Sequence, residues 1–173
     1  NDFECHRLLS AVNAMSGKLK LAVEHGKKAH EMVPNDPRIL QQYGEALLKT
    51  GQTKKGCDLM LLALEYDPVA QGQTNSDKRK SDAVFGCLMD DRADLGLKIA
   101  EEIDQKSAQT LMFIAGLAVS KVGSIRPYQW LTDDLKNVDL DDIEAAIEEM
   151  GKYDVVVQST LREVFLDHIA PTQ

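Results

Sequence analysis

The chain is poor in the residues that build cross-linked, metal-bound or membrane-spanning folds. Its cysteines number three, Cys5, Cys57 and Cys87, and lie far apart. An odd set at such spacing makes no disulfide framework, and no CxxC or Cys/His cluster has zinc-type spacing. They read as small buried hydrophobes in a reducing compartment. Histidine is as sparse. His25 and His30, five apart, fall on different faces of a helix, while His6 and His168 stand alone, so neither a metal nor a cofactor is expected. Five prolines and 5% aromatic residues suit an ordinary soluble helical protein. No uncharged apolar run reaches the roughly 18 residues of a membrane span. The longest, "LMFIAGLAV" at 111–119, reads as a buried helix.

Basic charge is missing from one end. Of the net −8, all falls in residues 133–173, where eleven acids face three bases. An acidic end repels phosphates and anionic lipid, which disfavours nucleic acid and membrane partners. The short basic run "KRK" at 78–80 reads as a solvated loop. The sequence opens on Asn1 without a charged segment leading into an apolar one. It is expected to be an excised domain or a processed product, cytoplasmic, with any targeting segment lying elsewhere. No phosphate loop, nucleophile elbow, HExxH pair or Gly-rich dinucleotide turn appears, so the chain is not expected to be an enzyme. Glu144 and Glu148 share one polar helix face and read as solvated. Asp141 and Asp142 suit a first turn, where the helix dipole favours acids. Tyr128, Trp130 and Phe113 suggest an aromatic cap.

What is present is a period. Gly17 and Gly51, Ala22 and Gly56, Ala29 and Ala63, Ser10 and Gly44, Leu9 and Tyr43, and Pro34 and Pro68 all stand 34 residues apart. Small residues at fixed places let paired helices approach closely, and a period of this length suits a helix–turn–helix array. Gly17 and Gly51 fall where a first helix must end with positive φ. The prolines stop the second helix of each unit. A single hairpin cannot bury its own apolar face, so the chain makes another and stacks it.

On these residues the chain resembles the tetratricopeptide repeat family over 3–36 and 37–70. The second unit carries the resemblance best, through Leu40, Tyr43, Gly44, Leu47, Gly51, Gly56, Met60, Ala63 and Pro68. The first departs at His6, Asn13 and Gly26, where the family places bulky residues. That suggests a loose N-terminal edge, covered by a preceding repeat or used for self-association around His6 and Gly26. Beyond residue 70 the period fails. The stretch 71–82 reads as a polar linker, either an extended connection or a frayed helix start, 83–124 as degenerate repeat-like helices with an N-cap at Ser107 and a stop at Gly123, and 125–173 as an acidic helical cap. In that cap Asp139 begins a helix with Leu140, Ile143, Ile147 and Met150 on one stripe and Gly151 closing it. A last helix carries Val156, Leu161, Val164, Phe165 and His168. The expected fold is all-α, about ten helices in antiparallel pairs stacked as one short right-handed superhelix.

The resemblance implies a protein or peptide partner on the concave face, formed by the first helix of each pair. There the inward positions are Glu4, Arg7, Ala11 and Ala14, then Arg38, Gln41, Glu45 and Leu48, each set spaced to share one helical face. Some family members clamp an acidic chaperone tail with basic residues and an asparagine. Here Ala11 replaces the asparagine and Glu45 opposes an acidic tail at close range. The expected role is an interaction scaffold or adaptor. The alternatives are a regulatory or substrate-docking domain of a larger enzyme, such as a transferase, and a secretion chaperone.

Overall fold

The computed structural model describes residues 2–66, 73–152 and 155–168, with the backbone alone at 73–76 and 164–168. These residues are all-α, with no strand among them. In chain order the helices are α1 (Asp2–Met15), α2 (Leu19–Met32), α3 (Pro37–Lys49), α4 (Thr53–Glu65), α5 (Gln73–Met89), α6 (Ala93–Ala100), α7 (Ala108–Val122), α8 (Gln129–Lys136), α9 (Leu140–Met150) and α10 (Val155–His168). No described helix is long and apolar enough to cross a membrane. The chain divides into two compact units, Asn1–Gly86 and Cys87–Gln173. Pro68 and the side chains of Val164, Phe165 and His168 lie outside the described residues.

In the first unit, both hairpins turn by the same device. Gly17 takes φ +71° and Gly51 φ +78°, a region that costs a residue without Cβ little. Past each glycine the chain folds back. Lys18 N donates to Asn13 O at 2.8 Å, and Gln52 N donates to Leu47 O at 2.9 Å. These 6→1 bonds occupy helix-end carbonyls that would otherwise lack partners. Helix α3 begins as firmly as its predecessor ends. Asp36 accepts from Arg38 N at 2.9 Å, and Pro37 occupies the first helical position, where no N–H is needed.

Packing then follows the period. Successive helices from α1 to α4 rest on one another. Where α3 crosses α4, a Cβ built on Gly56 would sit 2.8 Å from Gly44 O, and one on Gly44 would sit 2.9 Å from Gly56 O. The two backbones therefore meet with no room for a side chain between them. Leu40, Tyr43, Leu47, Leu59 and Ala63 form the core around this crossing, with Val23 of α2 against it. In the first hairpin the matching contact is polar, with Ser10 Oγ donating to Ala22 O at 2.8 Å.

Two expectations change here. Residues 73–82, read as an extended connection or a frayed helix start, are the first turns of helix α5, so the extended reading falls. Gly26, read as a mark of loose packing, is buried, and a Cβ there would meet Tyr43 Cδ2 at 2.9 Å and Ser10 Oγ at 3.1 Å. It is small because Tyr43 of the next hairpin fills the space.

The second unit is organised differently. Every residue of α7 from Thr110 to Ala118 is buried, as suits a helix apolar on all sides. Helices α6, α8, α9 and α10 all pack on α7. It is a central helix with neighbours around it, which the expected row of hairpins does not describe. Its limits follow the sequence reading: Ser107 accepts from Thr110 N at 3.2 Å, and Gly123 takes φ +72°. Asp139 caps α9 by accepting from Asp141 N at 2.9 Å. Ile143, Ile147 and Met150 are buried, but Leu140 is exposed, and Gly151 stays right-handed. The turn before α6 repeats the device of the first unit without glycine: Asp91 takes φ +54°, and Arg92 N donates to Cys87 O at 2.8 Å. Aspartate tolerates that region better than most residues.

Candidate functional site

Helices α1 and α3 carry the positions expected to face inward, and the structure links several of them. Arg7 donates to Glu4 at 3.0 Å through Nε and at 2.5 Å through Nη2. Arg38 reaches Glu4 at 4.0 Å and Asp36 at 2.6 Å. Gln42 of α3, with its amide oriented to satisfy both polar ends, accepts from Arg7 Nη1 at 2.9 Å and donates to Arg7 O at 3.2 Å. Glu4, Arg7, Arg38 and Asp36 thus form one connected charged patch. Its charge is mixed because each guanidinium is matched by a carboxylate. Hydrogen bonds from Arg7 hold the Glu4 carboxyl below its usual range, and Arg38 does the same for Asp36.

Farther along α3, Gln41 is held by α5, donating to Asp82 and accepting from Arg79 Nη1 at 3.2 Å. Lys78 also lies 3.2 Å from Asp82. Burial pushes the Asp82 carboxyl above its usual range, and Lys78 opposes that shift. Arg79, from the basic run read as a solvated loop, is in fact buried. Beside it Asp36, Arg38 and Tyr66 help to line an open pocket of about 480 Å³.

The remaining expected positions divide. Glu45 is half-buried and pairs with Lys49 at 2.6 Å. Ala11 and Ala14 are half-buried on α1. Leu48 does not belong to the set, because it is buried with its Cδ2 2.8 Å from a Cβ built on Gly56. Spacing of three and four residues placed it on the right stripe, but the close α3–α4 crossing widens the buried side until it includes Leu48.

The other candidates stay apart from this face. Glu144 and Glu148 are exposed on α9, and Glu148 comes to 4.0 Å of Arg162. Phe113 is buried in α7, while Trp130 is partly exposed with Lys106 Nζ 5.4 Å from its ring centroid. One juxtaposition was not visible in the spacing. His6 of α1 and His25 of α2 meet across the first hairpin, with Nδ1 atoms 2.9 Å apart. Their separation in sequence hides this, and only the antiparallel register of α1 and α2 brings them together.

No family model matches the chain, and no curated protein matches it either.

Proposed function

We propose that the first unit is a pair of tetratricopeptide-type repeats and that the protein is an interaction scaffold. It takes a peptide or partner helix along the face carried by Glu4, Arg7, Arg38, Gln41 and Glu45. The observation that carries this reading is the linked, mixed-charge surface spanning α1, α3 and α5. Three alternate helices of the chain place polar side chains on it, and carboxylates and guanidinia alternate. The repeated Gly17 and Gly51 turns and the Gly44–Gly56 crossing support the repeat assignment.

Alternating charge selects a partner by register as much as by net charge. Such a face prefers a segment with both signs and rejects a run of acids, which Glu4, Glu45 and Asp82 oppose. Peptide-display selection on the full chain tests this. Enriched peptides are expected to carry both signs, and Arg38→Glu with Glu45→Lys is expected to weaken them by about tenfold, the scale of one or two rim charges. Glu144→Lys on α9 serves as the control and is expected to change nothing. Peptides that ignore the double substitution, or micromolar binding of a peptide ending in clustered acids, would overturn the reading.

A further inference from the structure

The paired imidazoles of the first hairpin have a chemistry that the charged face does not use. His6 and His25 place their Nδ1 atoms 2.9 Å apart, with ring centroids at 5.1 Å and planes inclined by 29°. Centroid and nitrogen distances together mean that the two Nδ1 atoms point at each other. Each neutral ring has one lone pair and one N–H, so in the metal-free chain one Nδ1 donates and the other accepts. Both rings are half-buried, so one side of the pair is open to solvent.

We propose that His6 and His25 are a two-imidazole chelate for a divalent transition-metal ion, bound through both Nδ1 atoms. Turning each ring by about 45° brings both lone pairs off the N···N line onto one ion, and nitrogens 2.9 Å apart at ordinary metal–nitrogen lengths of about 2.0–2.1 Å then subtend about 90° there. That is the angle between neighbouring ligands in square-planar or octahedral coordination, not in a tetrahedron. Imidazole ligands in such a geometry favour Cu²⁺ or Ni²⁺ over Zn²⁺. Among the described residues no third protein ligand joins the pair, so water fills the other positions. For a neutral pair, binding moves the shared Nδ1 hydrogen to Nε2 of the same ring, and no proton need leave the protein.

The scaffold holds both ligands. The Ser10–Ala22 hydrogen bond ties α1 to α2 between them, and Gly26, next to His25, is pinned under Tyr43. Glu24, next to His25, accepts from Lys28 Nζ at 2.7 Å, which balances much of its charge.

The test is calorimetric titration of the full chain with Ni²⁺ alone, together with imidazole-proton NMR under substoichiometric Cu²⁺. We expect one saturable equivalent. His6→Ala and His25→Ala should each weaken it beyond the roughly 10–100-fold loss usual for a residue that only supports a ligand. His30→Ala should not. On the unsubstituted chain Cu²⁺ should broaden two imidazole signals, His6 and His25, before His30 or His168, which keeps the test meaningful if a variant unfolds. Binding unchanged in both variants, no saturable equivalent, or equal broadening of all four histidines would overturn the proposal and leave the contact a hydrogen bond only.

Discussion

The two hairpins of the first unit share a turn, a period and a line of small residues, yet they bury different things. Helix α1 buries Ser10 alone, and α2 buries Ala22, Gly26 and Ala29. Helix α3 buries Ile39, Leu40, Tyr43, Ala46, Leu47 and Leu48 around Gly44, and α4 adds Cys57, Leu59, Met60 and Ala63. Meanwhile α1 leaves Val12 at 57% and Met15 at 88% exposure. Burial free energy scales with apolar area, so more of it sits in the second hairpin than in the first. The first hairpin is therefore held by its neighbour, chiefly where Tyr43 covers Gly26. A repeat is a shared backbone geometry, and stability is apportioned by the volume that each copy carries.

Substitutions can break that contrast. The largest effect is expected for Leu47→Ala, since the side chain is 0% exposed. Its removal should cost about 2–5 kcal/mol, whereas Val12→Ala should stay within about 0.5 kcal/mol. Urea unfolding of the full chain measures both, and equal losses would deny the asymmetry. Next is Gly56→Ala. A helical Gly→Ala change normally stabilises, but here the added carbon meets the Gly44 carbonyl, which cannot swing aside. A net loss of about 1–3 kcal/mol is expected. Gly26→Ala meets side-chain atoms of Tyr43 and Ser10 instead, which can give, so its loss should be smaller.

The smallest of these effects sharpens the junction between the hairpins. Asp36→Ala removes the cap of α3 and should cost about 1 kcal/mol. Because Arg38 holds the Asp36 carboxyl below its ordinary value, that contribution is complete above the usual carboxylate range. It is lost as pH falls through the depressed value. Asp82 has the opposite sign. Its raised pKa means that the folded chain binds the proton more tightly, so stability declines as pH rises through that value. Asp82→Asn should remove the decline while Asp36→Ala removes the acid-side loss, and stability measured across acidic pH separates the two.

Local chemistry was legible in the sequence because it acts within a few residues. Gly17 and Gly51 had to adopt positive φ, Ser107 and Asp139 had to cap, and Gly123 had to end its helix; each follows from one side chain and its own backbone. What depended on distant partners was not legible. The polar residues of α5 form no apolar stripe that a sequence would reveal, and their reason for being helical includes Gln41, about forty residues earlier, which Arg79 and Asp82 bind. Gly26 looked like a defect until Tyr43 was placed over it. His6 and His25 looked unrelated because spacing within one helix says nothing about the register between two. The enclosure of α7 was visible as an all-apolar run, but its central place among α6, α8, α9 and α10 was not.

Hydrogen exchange on the intact chain tests most directly whether the first hairpin leans on the second. Amides of Leu40, Tyr43, Leu47 and Met60 are expected to open only with the largest unfolding event of their unit. Those of Leu8, Leu9 and Val12 should exchange through smaller local openings. Equal protection in α1 and α3, or greater protection in α1, would contradict the view that the second hairpin supports the first.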